Sequence, residues 1–188
     1  MSMGMEVMQA IRERRSVRHY RPDPVKPEDL QAVLEAARLA PSWANTQCWR
    51  FIVVRDPATK AQLAGACLQQ FGNPATAAIT EAPVVIAACA ETGRSGYKRG
   101  QVTTDKGDWF MFDVGIAMQN LVLAAYSLGL GTVHVGLVDA ARAAEILGLP
   151  PGTVFVEMTP LGYPNEEPRV VPRKDLSEIV FYEKYGQK

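Results

Sequence analysis

The stretch from Trp109 to Leu128, WFMFDVGIAMQNLVLAAYSL, constrains this chain more than any other. A helix of that length, apolar around most of its circumference, must be central and buried. Asp113, Gln119, Asn120 and several glycines interrupt the apolar region Phe110 to Val138. It therefore lacks the clean run of ~20 apolar residues expected of a membrane span. Gly129 supplies the left-handed cap that ends the helix. The expectation is a soluble domain assembled around one helix.

The flanking sequence reads as alternating helices and strands. Met5, Met8 and Ile11 recur at helical spacing in a helix that fades near Arg15. Glu6, Arg12 and Glu13 fall inside that stretch, which argues against a signal peptide. Pro27 suits the first position of a second helix, with Leu30, Val33, Leu34 and Ala37 as its buried stripe and Pro41 as its stop. Trp49–Val54 and Pro83–Ala90 read as buried strands. Asp56 and Pro57 open a helix running to about Gln70, and Asp139 caps another ending at Leu147. Strands are expected at Thr132–Gly136 and Thr153–Leu161. The tail from Asp175 to Tyr185 is amphipathic and fits helix or strand. Residues 91–108 show no period and read as a long loop, of the kind that often forms a lid or binding loop. The pattern favours a mixed sheet covered by helices on both faces, in one domain spanning residues 1–188.

Charge and composition narrow the partners. Twenty basic residues balance twenty acidic ones, so nucleic acid and anionic membrane are poor partners. Cys48, Cys67 and Cys89 are unpatterned and odd in number, as expected of reduced cytoplasmic thiols. Two histidines, His19 and His134, leave too few soft ligands for a metal centre.

Four clusters could carry chemistry. Arg14, Arg15, Ser16 and Arg18 at the exit of the first helix can grip a phosphate, or form a solvated basic face. Pro41, Ser42, Trp43, Asn45 and Gln47 join a helix to a strand. They offer polar groups and an apolar wall to a heterocycle, or simply make a helix stop. Gly129–Gly136 (GLGTVHVG) carries a helix cap into a strand, and Arg173 and Lys174 put two cations in the tail.

The order RRSxR, PSxxNxQxW, GLGTxxxG and PRK strongly resembles the FMN-dependent nitroreductase family over Met5 to Tyr185. The resemblance implies an α+β fold, with a mainly antiparallel central sheet and helices on both faces, in an intertwined homodimer. Residues 164–188 would then be an arm packed on the partner. It implies that Arg14, Arg15 and Ser16 contact the phosphate and ribityl chain, completed by Arg173 and Lys174. Arg18 would lie beside the flavin N1 and O2 and tune its electronics. Pro41, Ser42, Trp43, Asn45 and Gln47 would cover the ring from the partner subunit, while Val135 and Gly136 offer N–H groups to N5 and O4. The implied activity is hydride transfer from NAD(P)H to a small acceptor, such as a nitroaromatic or a quinone, by a ping-pong route with no protein nucleophile. A flavin-binding module without turnover, reductive dehalogenation, flavin fragmentation and a non-flavin structural domain stay open beside it. Cys48 departs from the pattern, standing where the family commonly has proline. It reads as a small buried residue rather than a nucleophile.

Overall fold

The computed structural model describes residues 5–68 and 72–188. Its main sheet has four strands: β1 (Trp49–Val54), β2 (Val84–Glu91), β5 (Gly131–Thr132) and β6 (Thr153–Gly162). Their order is β1-β2-β6-β5 and every ladder is antiparallel. Among the described residues the one parallel pairing is the isolated bridge Ser16–Thr132. Helices α2 (Pro27–Arg38) and α5 (Phe110–Ser127) cover one face, and α3 (Pro57–Gly65), α4 (Thr76–Glu81) and α6 (Ala140–Leu147) the other. Period-2 alternation in β2 feeds both cores: Val85, Ala87 and Cys89 face one, and Val84, Ile86, Ala88 and Ala90 the other. The expected α+β architecture is present.

α5 buries Asp113, Val114, Ala117, Met118, Leu121, Val122 and Ala125, a stripe at helical spacing that seats it on the sheet. Asn120 Nδ2 donates to Ala36 O at 3.2 Å and ties it to α2. The helix is long and apolar enough to cross a membrane by length and composition, yet the fold uses it as a core helix. One side of it stays uncovered in the single chain, where Met111, Phe112, Gly115 and Gln119 are exposed. Gly129, at φ 77°, ends it, and the Leu130 N–H returns to Ala125 O at 2.9 Å.

Several expectations need correction. α3 ends at Gly65 rather than near Gln70, because Cys67 bridges Val138 and the Leu68 N–H donates to Leu137 O at 3.1 Å. Gln70 itself lies outside the described residues. The strand expected at Thr132–Gly136 is only Gly131–Thr132, with Val135 rejoining Met158 in the same register. The pair between them, Val133 and Pro160, falls where hydrogen bonds would be exchanged, and proline has no N–H to give. Residues 91–108 are not structureless, since Tyr97–Lys98 (β3) and Gln101–Val102 (β4) form a two-stranded hairpin.

α1 (Val7–Glu13) buries only Ala10, leaving Val7 67% exposed with Met8 and Ile11 beside it. The chain after β6 first holds to its own body. Tyr20 bridges Pro164, the Asn165 N–H donates to His19 O at 2.9 Å, and Glu166 Oε1 accepts the N–H groups of Arg18 and His19. Beyond Pro168 it runs out over solvent, with a single helical turn α7 (Leu176–Ile179). Val170, Val171, Leu176, Ile179, Tyr182 and Tyr185 are all exposed, Tyr185 at 93%.

Candidate functional site

Past α1 the backbone is extended, so side chains alternate: Arg14, Ser16 and Arg18 fall on one side, and Arg15 and Val17 on the other. The Val17 N–H donates to Thr132 O at 2.9 Å, and Tyr20 Oη donates to Val17 O at 2.6 Å. These bonds fix the segment against β5. Gly131 makes the approach possible, since a Cβ there would stand 2.8–2.9 Å from three Val17 carbons.

Two nitrogens on this segment, Arg14 Nη1 and Arg18 Nε, are buried without a hydrogen-bond partner. Burial, then the charges of Arg15 and Arg173, push the Arg14 guanidinium below its ordinary value. Arg14 thus feels two further positive charges, and no carboxylate is among the groups that shift it, surroundings suited to an anion such as a phosphate monoester. Arg15 is employed differently: its Nη1 donates to Arg12 O at 2.6 Å and Arg14 O at 2.8 Å. It lines a cavity of about 480 Å³ with Glu13, Tyr126, Gly129, Gly131 and Glu166. Arg173 Nη1 donates to Val171 O at 3.0 Å, and Lys174 is exposed.

The second predicted cluster lies at the other end of α5. Ala44, Asn45 and Gln47 have φ of 46°, 56° and 48°, three non-glycine residues in left-handed conformation within four positions. Such backbone costs of order 1 kcal/mol per residue and persists only where surroundings impose it. Here Ser42 Oγ accepts the Gln47 N–H at 2.9 Å, and Gln47 Nε2 donates to Asn45 Oδ1 at 3.1 Å. The stronger clamp is Asp113, fully buried in the first turn of α5. Its Oδ1 accepts the Trp43 N–H at 3.0 Å; its Oδ2 accepts Ser95 Oγ at 2.7 Å, Thr46 Oγ1 at 3.5 Å and Cys48 Sγ at 3.7 Å. Pro41, Ser42 and Trp43 wall a cavity of about 240 Å³ with Trp109, Phe112 and Ile116.

Burial and the neighbouring Asp113 carboxylate push the Cys48 thiol up to about 12. It is a neutral donor, consistent with its reading as a buried residue rather than a nucleophile. Asp113, which in the sequence only interrupts an apolar run, bonds neighbouring loops here. It holds two, through residues 43–48 and Ser95. Glu166 lies in a polar NEEP segment whose sequence gives no sign that its carboxylate accepts the Arg18 and His19 N–H groups.

The structure departs from the resemblance at Val135. Its N–H donates to Met158 O at 2.9 Å and is not available to a ligand, whereas Gly136 is exposed. His134 Nδ1 lies 2.9 Å from Glu157 Oε2, and His19 Nδ1 lies 3.3 Å from Glu81 Oε2.

Within one chain the two clusters do not meet. Asp113, which holds Trp43, and Tyr126, which holds Glu13 (3.3 Å), are thirteen residues apart on α5, about 20 Å at 1.5 Å per residue.

Residues 11–163 match the Nitroreductase family. A protein of Thermus thermophilus named NADH dehydrogenase is 34% identical over 95% of this chain and 96% of its own. A 5,6-dimethylbenzimidazole synthase of Rhodospirillum rubrum is 33% identical over 82% of this chain and 80% of its own. Among solved structures, the NADPH:FMN oxidoreductase of Vibrio harveyi complexed with NAD+ superposes with a TM-score of 0.82 at 28% identity, covering 97% of this chain and 79% of that one. With the fold, the motif order and these matches in agreement, the chain belongs to the nitroreductase family.

Proposed function

We propose that this protein is an FMN-dependent oxidoreductase that uses NAD(P)H to reduce nitroaromatics, quinones or related small acceptors, working as a cytoplasmic homodimer with two shared sites. The observation that carries this reading is the pair of buried, partnerless nitrogens on Arg14 and Arg18, with the charges of Arg15 and Arg173 acting on Arg14. Bound FMN supplies hydride acceptance from the nicotinamide and hydride delivery to the acceptor.

The chain's own residues bind, orient and tune. Arg14 and Ser16, aided by Arg173 and Lys174, hold the phosphate and ribityl chain. Arg18 stabilises the negative charge that reduction places on the ring. The loop Pro41–Gln47 of the second copy covers the ring, its shape fixed by Asp113. Gly136 offers a backbone N–H, without the help first expected of Val135. Arg15 acts as a neighbouring charge more than as a direct contact, since its Nη1 is occupied by two backbone carbonyls.

The dimer is supported by apolar surface that one chain leaves uncovered. α1 shows Val7, Met8 and Ile11, and α2, α5 and α1 border a groove of about 360 Å³ containing Leu39 and Leu123. The tail beyond Pro168 carries enough exposed apolar residues to pack across a partner, while residues 164–166 remain with their own body. Three buried cysteine thiols, Cys48, Cys67 and Cys89, suit a reducing compartment.

The purified protein is expected to show a flavin absorbance spectrum, to release FMN on heating, and to oxidise NADH or NADPH when a quinone or nitroarene is added. A colourless protein that ignores added FMN sinks the proposal. FMN binding without NAD(P)H turnover would favour a flavin-binding module. The 5,6-dimethylbenzimidazole synthase relative favours one competitor. Appearance of that compound on aerobic incubation with FMN and NAD(P)H would select it.

A further inference from the structure

The hairpin β3–β4 carries a local cost that its fold does not need. Lys98 pairs with Gln101, leaving Arg99 and Gly100 as the two turn residues, with φ of 51° and 77°. Positive φ at both central positions is the requirement of a type I′ turn, whose first position favours asparagine, aspartate or glycine. An arginine there is strained. Residues that break a local rule without a structural gain tend to mark function.

The charges around the hairpin point to what that function is. Arg94, Lys98, Arg99 and Lys106 stand against three carboxylates, Glu91, Asp105 and Asp108, and all three are engaged. Glu91 pairs with Arg50 at 2.6 Å and with Arg94 at 3.8 Å, Asp105 lies 3.7 Å from Lys106, and Asp108 accepts the Gly93 N–H at 2.6 Å. Lys98 and Arg99 are exposed and form no ion pair among the described residues. What sets the hairpin apart is therefore the two unpaired cations at its turn, not its net charge.

The hairpin's root is hydrogen-bonded to the body and sits at the loop proposed to cover the ring. Ser95 Oγ donates to Asp113, the carboxylate that holds the Trp43 N–H, and the Trp109 N–H donates to Ser95 O at 3.1 Å. Trp109 Nε1 donates to Thr104 Oγ1 at 2.8 Å, closing the other side. From Ser95 to Arg99 the chain spans at most about 13 Å, placing the two free cations within a nucleoside's reach of the cavity walled by Trp43, Trp109 and Phe112. We propose that Lys98 and Arg99 bind the pyrophosphate of the nicotinamide dinucleotide while its nicotinamide enters beside Trp43. This assignment rests on the oxidoreductase reading above, and extends it to a donor-binding element on the same chain as the ring-covering loop.

The test compares donors with and without phosphate. The variant Lys98→Gln/Arg99→Asn removes both charges and puts a turn-favoured residue at 99, so folding is preserved or improved. Its KM for NADH and for NADPH should each rise about three- to tenfold, the range for two exposed charge contacts. Its FMN content, its kcat at saturating donor, and its KM for N-benzyl-1,4-dihydronicotinamide, which has no phosphate, should match the parent. Unchanged KM for the dinucleotides, an equal rise for the benzyl compound, or a rise confined to NADPH overturns the pyrophosphate assignment. A parent protein that oxidises neither donor class overturns the oxidoreductase reading, and the hairpin's role with it.

Discussion

Replacing Gly131 with alanine adds one methyl group at the tightest backbone approach near the cation cluster. The new Cβ would stand 2.8 Å from Val17 Cβ and 2.9 Å from both Val17 γ-carbons, all shorter than real carbon contacts allow. Valine is stiff at χ1, and all three atoms face the intrusion, so a rotamer change does not relieve it. The backbone of Ser16–Arg18 must move instead, against the Val17 N–H bond to Thr132 O and the Ser16–Thr132 bridge. Overpacking of this kind costs about 1–3 kcal/mol, which for a domain of this size lowers Tm by roughly 3–10 °C. Displacing Arg14 and Arg18 weakens charge-assisted contacts worth about 1.5–3 kcal/mol each, so FMN affinity should fall by a factor of about 10–150 for one such loss. Thermal melts of the apoprotein and FMN titrations followed by fluorescence quenching read the two effects. Val17→Ala removes two of the three clashing atoms, so the double variant should recover part of both losses, with a coupling of at least about 0.5 kcal/mol. Wild-type Tm and affinity in Gly131→Ala, or strictly additive losses in the double variant, would refute the reasoning.

Arg18→Ala should lower the flavin midpoint potential and slow reduction more than it weakens FMN binding; equal potentials in variant and parent count against its placement. A chain ending at Pro168 keeps the tethers at Pro164, Asn165 and Glu166 but loses the apolar tail. Light scattering should find it monomeric and without FMN, and a dimer that retains stoichiometric FMN would disprove the arm's role. Cys48 holds its proton to about pH 12 in the folded protein against 9.0 for an ordinary thiol. The folded state therefore binds the extra proton, and stability should be full below pH 9 and decline as pH rises from about 9 to 12. Cys48→Ala should make that alkaline decline shallower, as measured by urea unfolding at pH 8 and at pH 10.5, and an unchanged slope would argue against it.

The parts legible in the sequence are those whose cause is local. The cap pair Asp56–Pro57, the Asp139 cap with its bond to the Arg142 N–H at 3.0 Å, and the glycine stop at 129 appear in the fold as read. Strand β1 falls on its expected residues because a run of β-branched and aromatic side chains admits little else. What the sequence hid depends on partners distant along the chain. Pro160 breaks the ladder of β5, an effect visible only once register is known. The end of α3 is set by Cys67 meeting Val138, seventy-one positions away. Within the candidate site the motif order picked out residues but not their states. It grouped Arg15 with Arg14, where alternation turns it the other way, and it counted a Val135 N–H that Met158 takes.

Asp113 shows why a site can be missed when its chemistry is structural. A lone aspartate in an apolar helix carries no motif, and its value comes from place. It lies in the first turn of α5, where the helix dipole favours an anion. Burial of a carboxylate is tolerated when hydrogen bonds replace its water, and donors from the 43–48 loop and from Ser95 supply them. The same bonds that satisfy the charge hold Ala44, Asn45 and Gln47 in left-handed conformation, so helix, loop strain and hairpin root depend on one group. Removing the charge would release the strain and loosen both loops together. Asp113→Asn is therefore expected to speed hydrogen exchange in residues 42–48 and 93–97 while leaving β2 and β6 protected. Faster exchange in the 42–48 segment alone would show that the two loops are held independently, and that the hairpin does not take its position from this carboxylate.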